Sequence, residues 1–149
     1  MKTWTSVPNR GRVAIAAVVL AIPLLTALPV VAHHSTAAFD NGRVVRIEGK
    51  VTQFRWINPH ASIKIDGTAE GDDPDGVWTV EMTAPNVLIN QGWKRTSLNE
   101  GDHVTMFVNP LKMPITLRDG SQGGLYVGVV LADGSTLGRT DGSGEGTDQ

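Results

Sequence analysis

Alternation of apolar and polar residues constrains the fold of this chain more than any other feature of its sequence. Apolar side chains recur at every second position in five stretches: 45–56, 61–65, 77–83, 104–108 and 125–131. Because successive side chains of a strand point to opposite faces of a sheet, this period is typical of half-buried β-strands. The sequence therefore predicts five strands.

The first of these stretches changes phase along its length. Val45 and Val51 occupy odd positions, whereas Phe54 and Trp56 occupy even ones. One extra residue in a strand reverses its alternation, so the pattern predicts a β-bulge, with Gly49 providing flexibility nearby. A long, bent first strand is how small barrels turn a corner.

One short helix and one short final strand complete the predicted elements. Pro85–Gln91 precedes Gly92, a residue typical of the position just after a helix. Asp133-Gly134 predicts a tight turn into a short strand at Thr136-Leu137. Five strands with a helix between the third and fourth predict an all-β fold, a small OB-like barrel of five to six strands. A small β-sandwich is the alternative.

The remaining segments are polar. The acidic, glycine-bearing stretch Gly67–Gly76 is expected to be a solvated loop, and the polar, Gly-rich residues 138–149 are expected to be a disordered tail. The single barrel domain is thus predicted to span residues 33–137.

The first 32 residues have the pattern of a signal peptide. Lys2, Arg10 and Arg12 precede the apolar run Val13–Val31, and Ala32 stands at the expected cleavage position. We therefore predict export to the periplasm or beyond, with cleavage after Ala32. Since the run approaches the length of a membrane-spanning helix, retention as an anchor through residues 13–31 is the alternative.

Composition excludes several classes of function. The chain has no cysteine, which rules out thiolate metal sites, iron–sulfur clusters, cysteine nucleophiles and a lipidated cysteine anchor. Loss of the three basic residues of the signal peptide leaves ten basic and fifteen acidic residues, a net charge of −5. An acidic exported domain is a poor partner for nucleic acid.

Histidines form the candidate site. Cleavage after Ala32 would make His33 the first residue, and an N-terminal histidine offers a metal its α-amine and its ring Nδ1. His60, beside an Asn-Pro turn, is the best candidate for a third nitrogen, and His34 is a further possible ligand. Three nitrogens in a T shape suit Cu(II) and resemble the histidine brace of exported copper proteins and copper monooxygenases. The remaining histidine, His103, is expected to face solvent.

A second interpretation gives the candidate residues structural roles. In this interpretation, the ring of His60 is expected to bond a backbone carbonyl beyond Pro59, as a capping residue does. Glu81 alternates with the apolar residues of the third strand, so it either orients a ligand histidine or is simply exposed. Met82 and Met106 share the phase of core residues, whereas Met113 is expected to be exposed.

Several short motifs together resemble one protein family. They are His33-His34-Ser35, Phe39-Asp40, Gly49-Lys50-Val51, Trp56-Ile57-Asn58-Pro59-His60, Val80-Glu81, Pro85-Asn86, Gly92-Trp93 and Leu98-Asn99-Glu100-Gly101-Asp102. In this order they resemble a family of small exported bacterial proteins classed as a domain of unknown function, with an HHS mature N-terminus and an NPH motif. The resemblance covers roughly residues 33–137. It implies export, cleavage before His33 and a small β-barrel, and it supplies no activity.

These observations lead to three functional hypotheses. The first is an exported, non-catalytic module that binds a metal ion, copper favoured, through His33 and His60, with His34 possible. The second is an exported binding module for a small ligand or an envelope partner protein, in which the histidines are structural. The third and least favoured is a copper-dependent oxidoreductase, because the sequence shows no convincing second catalytic group. No stable membrane anchor is expected if the signal is cleaved.

Overall fold

The computed structural model of the protein describes Met1 and residues 36–142. The chain divides into two compact units, Met1–Ala32 and His33–Gln149. All described residues except Met1 belong to the second unit. Residues 2–35, which include the rest of the predicted signal peptide, His33 and His34, lie outside the described residues, as do residues 143–149.

The described part consists of six strands, one short α-helix and one 3-10 turn. The 3-10 turn spans Thr36–Ala38 and the helix α1 spans Pro85–Asn90. The strands are β1 (Val45–Arg55), β2 (Ser62–Ala69), β3 (Gly76–Glu81), β4 (His103–Pro110), β5 (Gln122–Val130) and β6 (Thr136–Gly138).

Five of the strands close into a barrel. The strand order is β3-β2-β1-β4-β5-β6, and β3 also pairs with β5. All pairs are antiparallel except β3–β5, in which Trp78–Glu81 run parallel to Gln122–Leu125. This closed mixed barrel, with α1 between β3 and β4 and β6 as an extra strand, confirms the predicted OB-like fold over the sandwich.

The predicted bulge of β1 is present, but Gly49 has a different role from the one expected. The pairing of β1 with β2 shifts between Val51 and Gln53, which leaves Thr52 as the extra residue. Gly49 lies directly opposite Gly67 of β2. A Cβ on either glycine would come within 3.0 Å of the other strand's backbone, so the two glycines allow a close approach rather than flexibility.

The core fills the barrel and includes the helix. Its fully buried side chains are Ile47, Val51, Ile63, Ile65, Val80, Met82, Leu88, Trp93, Met106, Val108 and Val129. Gly92 lies just after the helix, as predicted, with φ of 89°. The amide of Gly92 donates to the carbonyl of Ile89 and the amide of Trp93 donates to that of Leu88. This pair of bonds is a Schellman motif, and it places Trp93 and Leu88 together in the core.

The alternation predicted for β5 is confirmed at Val129 and Leu131 and wrong at Leu125 and Val127. Its pairing with β4 shifts so that Phe107 faces Gly128 and Val108 faces Tyr126, which leaves Val127 as an extra residue on β5. Val129 therefore lies in the core, and Tyr126 rather than Val127 packs against it. The bulge reverses the phase, as in β1.

Some element boundaries also differ from those predicted. Strand β2 continues to Ala69, so the first residues of the expected Gly67–Gly76 loop belong to a strand. Strand β6 includes Gly138, which pairs with Gly128. In both places backbone pairing with a neighbouring strand outweighs a local composition rich in glycine and polar residues.

Candidate functional site

The turn between β1 and β2 carries His60. Ile57, Asn58 and Pro59 are exposed, and the Asn58–Pro59 peptide bond is cis. Immediately after the turn, the amide of Ala61 donates to the carbonyl of Thr83. The segment that follows His60 is thus tied to the chain just beyond β3.

The ring of His60 contacts the same segment. Its Nδ1 lies 3.2 Å from the carbonyl oxygen of Met82, and the side chain is half-buried. A carbonyl only accepts hydrogen bonds, so Nδ1 carries the proton and, in the neutral ring, Nε2 carries the lone pair. This bond fits the capping interpretation. It is also the contact that most metal-bound histidines make with their second nitrogen.

The other predicted ligands cannot be placed beside His60. His33 and His34 lie outside the described residues, and His103 is exposed at the start of β4. Between residues 36 and 142, no three histidine, aspartate or glutamate side chains form a group that could hold a metal ion. Of the three predicted ligands, the structure therefore describes His60 alone.

Glu81 lies at the end of β3, on the outer face of the barrel. Its neighbours along the strand, Val80 and Met82, point into the core, whereas Glu81 is half-buried on the opposite face together with Thr79. Within the part of the chain that the structure describes, its carboxylate has no hydrogen bond or ion pair. It lines two cavities, one with polar and apolar surface in about equal parts and one mainly apolar.

The mixed cavity, of about 590 Å³, is lined by residues from the beginning of the described barrel unit, from the end of β3 and from β5. Thr36, Met82 and Tyr126 line it together with Glu81. The Tyr126 hydroxyl donates to the carbonyl of Leu137 at 2.6 Å, and burial raises the pKa of this phenol above its usual range. The Met82 at this cavity is the residue whose carbonyl bonds His60.

The apolar cavity lies outside the seam between β3 and β5, and we call it the β3–β5 groove. It has a volume of about 370 Å³. The residues that line it are Ala38, Phe39, Ser62, Thr79, Glu81, Leu111, Leu117, Gly123 and Gly124. Most of its surface is apolar, and Glu81 is its one charged residue. This combination of apolar walls and a single charged group is typical of small-molecule sites.

A hydrogen-bonded network fixes the loop that forms one wall of the groove. The loop connects β4 to β5, and its Asp119 accepts from Lys64 of β2 at 2.5 Å and from the Ser121 hydroxyl at 2.6 Å. That hydroxyl also lies 2.8 Å from the Thr79 hydroxyl of β3. The hydrogen bond from Lys64 contributes most to holding the pKa of Asp119 well below its usual range, and the hydrogen bonds from Ser121 contribute next.

Two acidic residues before β3 bind within the chain. Asp73 pairs with Arg43, and the Asp75 carboxylate accepts from the amide of Ala69 at 2.9 Å. The methionines lie as expected, since Met82 and Met106 are buried and Met113 is exposed. These residues therefore belong to the fold.

Sequence reasoning did not find the β3–β5 groove. Its residues come from five separate segments of the chain, and no local motif joins them. The one available signal was Gly123-Gly124, two side-chain-free positions at the start of a strand. Glu81 was noticed as a residue of the outer face, but its position beside two cavities follows only from the pairing of β3 with β5.

Comparison with known proteins gives a family and no individual relative. A family model, described as a family of unknown function (DUF6152), matches residues 22–126. No curated protein and no solved structure matches the chain. Within the described residues there is no helix long and apolar enough to cross a membrane, and the predicted anchor segment 13–31 lies outside them.

Proposed function

The chain belongs to DUF6152, a family of unknown function, and we therefore propose a function from its own site. We propose that it is an exported, non-catalytic protein that binds a metal ion, with copper favoured. His60 supplies one ligand nitrogen, and the mature N-terminus supplies the others through His33, with His34 possible. Such a site suits copper handling or delivery in the cell envelope.

One observation carries the proposal: the hydrogen bond from His60 Nδ1 to the Met82 carbonyl. It fixes the tautomer in which Nε2 is the nitrogen able to bind a metal, and it holds the ring in one orientation. A ring with one assigned nitrogen and a restrained orientation loses less freedom when a metal binds.

The N-terminal histidines are near in sequence to a residue that lines the same cavity as Met82. That residue is Thr36, which His34 and His33 precede by two and three positions. This closeness in sequence supports the pairing of His60 with the N-terminal histidines in one site.

The types of ligand favour copper. Without cysteine, a site built from imidazole rings and an α-amine has only nitrogen donors. Three nitrogens in one plane match the tetragonal preference of Cu(II), which also binds such donors more tightly than the other divalent first-row metals.

The test is a copper titration of residues 33–149 prepared with His33 as the authentic first residue. We expect one tight site whose electron paramagnetic resonance spectrum shows coupling to three nitrogens. His60→Ala should remove one nitrogen and weaken binding at least tenfold, and one residue added before His33 should do the same. His103→Ala, a histidine exposed at the start of β4, is the matched control and should change neither. Weak binding that both changes leave unaltered would overturn the proposal.

A second candidate function is favoured by a separate observation. The β3–β5 groove is large enough for a small molecule, and its walls are mainly apolar. It supports a binding module for a small ligand, in which His60 is a structural residue. Copper-dependent oxidation gains no comparable support from the described residues.

A further inference from the structure

We propose that the β3–β5 groove binds a small organic ammonium ion, with the charged head at Glu81 and the apolar body against Phe39, Leu111 and Leu117. This inference rests on the second of the two proposed functions and does not depend on the metal site. It assigns the groove a chemical class of ligand.

The apolar walls of the groove come from segments that are bonded to one another. The amide of Lys112 donates to the carbonyl of Ala38 at 3.0 Å, and the amide of Asp40 donates to that of Pro110 at 2.8 Å. These bonds hold Phe39 beside Leu111, and the two residues form a β-bridge. A Cβ at Gly123 would lie 2.6 Å from Leu111 Cδ1, so the glycine makes room for that wall.

The opposite wall is fixed by the Asp119 network. Lys64, Ser121 and Thr79 tie the β4–β5 loop to the outer faces of β2 and β3. Leu117 belongs to the same loop, and its amide donates to the carbonyl of Ser121 at 2.8 Å. The groove therefore exists before a ligand arrives, and binding need not order the loop.

Glu81 selects the charge of the ligand. An anion would be repelled by its carboxylate. A neutral apolar molecule would displace water from the carboxylate and leave it without a replacement partner, which is costly. An ammonium ion replaces that water with a charge-assisted hydrogen bond, which apolar surroundings strengthen.

No cation of the barrel already neutralises this carboxylate. Lys64 lies on the same outer face, but its ammonium group bonds Asp119. No ion pair of Glu81 occurs among residues 36–142. Within the described range, the apolar groove thus has one negative group without an ion pair, and a ligand cation is its natural partner.

The test compares three probes of the same length: hexylammonium, hexanol and hexanoate. Each is titrated into protein isolated from cells that express the full chain, in the presence of a chelator, and amide resonances are followed by NMR. We expect hexylammonium to bind at least tenfold more tightly than hexanol, hexanoate to show no binding, and the largest shifts to fall at Gly123 and Gly124.

Two substitutions separate the charge from the shape of the groove. Glu81→Gln keeps the size of the side chain, and it should remove the preference for hexylammonium over hexanol. Glu100→Gln, at an exposed glutamate of the α1–β4 loop, is the matched control and should leave that preference unchanged. Leu117→Gln should weaken both probes together.

The outcomes distinguish this proposal from the metal site. Binding of hexylammonium that survives the chelator and the His60→Ala change supports the groove even if no copper site exists. Equal affinity for hexylammonium and hexanol would overturn the role of Glu81. Failure of all three probes to shift Gly123 and Gly124 would overturn the groove as a ligand site.

Discussion

At the scale of single residues, the paired glycines of β1 and β2 show how closely two strands can be forced together. Gly49 faces Gly67, and the backbone of the opposite strand occupies the space that a Cβ at either position would need. Backbone atoms cannot rotate away as the end of a long side chain can. A methyl group at either position must therefore displace a strand of the barrel.

We predict that Gly67→Ala destabilises the protein by about 3 kcal/mol, because overpacking against rigid neighbours is costly. Its Cβ would come within 3.0 Å of the Glu48 carbonyl oxygen and of Gly49 Cα. Urea unfolding measures the change in the free energy of unfolding.

Gly42→Ala is the control for this prediction. A Cβ there meets one atom, the Asp40 carboxylate oxygen, at an ordinary 3.5 Å. Its free energy of unfolding should change by less than about 0.5 kcal/mol. Equal effects of the two substitutions would show that β1 and β2 do not approach each other as described.

At the scale of elements, Tyr126 joins β5 to the short strand β6. Its ring packs edge-on against Trp93, with the ring centroids 5.4 Å apart, and its hydroxyl donates to the Leu137 carbonyl. Strand β6 has three residues and one neighbouring strand. The phenol therefore adds one side-chain hydrogen bond to the backbone pairing of β6 with β5.

We predict that Tyr126→Phe lowers the free energy of unfolding by about 1 kcal/mol at neutral pH, the net value of one hydrogen bond. Burial raises the pKa of this phenol in the folded state, so the folded protein keeps its proton to a higher pH than the unfolded chain does. The stabilisation is therefore fully present below about pH 10, the unfolded pKa, and is lost as the pH rises further.

Ultraviolet absorbance follows this ionisation without ambiguity, because Tyr126 is the one tyrosine in the sequence. Phenolate should form in the folded protein at a higher pH than in urea. Unfolding measured near neutrality and at high pH should show the difference between wild type and Tyr126→Phe shrinking. Coincident titrations of the folded and unfolded protein would contradict the prediction.

The two bulged strands show what the sequence can and cannot reveal. In β1 the apolar residues change from odd positions, such as Val51, to even positions, such as Phe54. The bulge could therefore be predicted from the sequence. In β5 the residues 125, 127, 129 and 131 are all apolar, and both phases look acceptable. The pairing with β4, which is remote in sequence, decides that Val127 is the extra residue. Long-range pairing therefore sets what local pattern leaves open.

The same limit applies to the candidate site. The Asn-Pro turn before His60 marked that histidine as a candidate, but its bond to Met82 depends on the register of β2 with β3. The groove depends on the closure of β3 with β5 and on a loop that has no regular pattern. Chemistry-bearing residues were visible in the sequence, whereas their surroundings were not.

At the scale of the whole molecule, the metal proposal depends on where the mature chain begins. We predict that the protein is exported and released in a form that starts at His33, because Ala32 ends a signal-peptide pattern. Intact mass and N-terminal sequencing of the exported protein measure the first residue directly.

Ala32→Arg is the companion variant, since signal cleavage requires a small residue at that position. It should leave the chain uncleaved and at the membrane. A wild-type chain that remains full-length and membrane-bound would instead establish residues 13–31 as an anchor, and it would remove the free α-amine from the proposed site.

The parallel seam of the barrel has a consequence for how the molecule opens. Four residue pairs join β3 to β5, fewer than join any other two strands of the five-stranded barrel, so we expect this seam to open first. The groove lies directly over this seam. A molecule seated there would bridge the two strands that part first, and it would slow hydrogen exchange of their amides. Occupancy of the groove is then thermodynamically linked to the fraction of molecules in which the seam is closed.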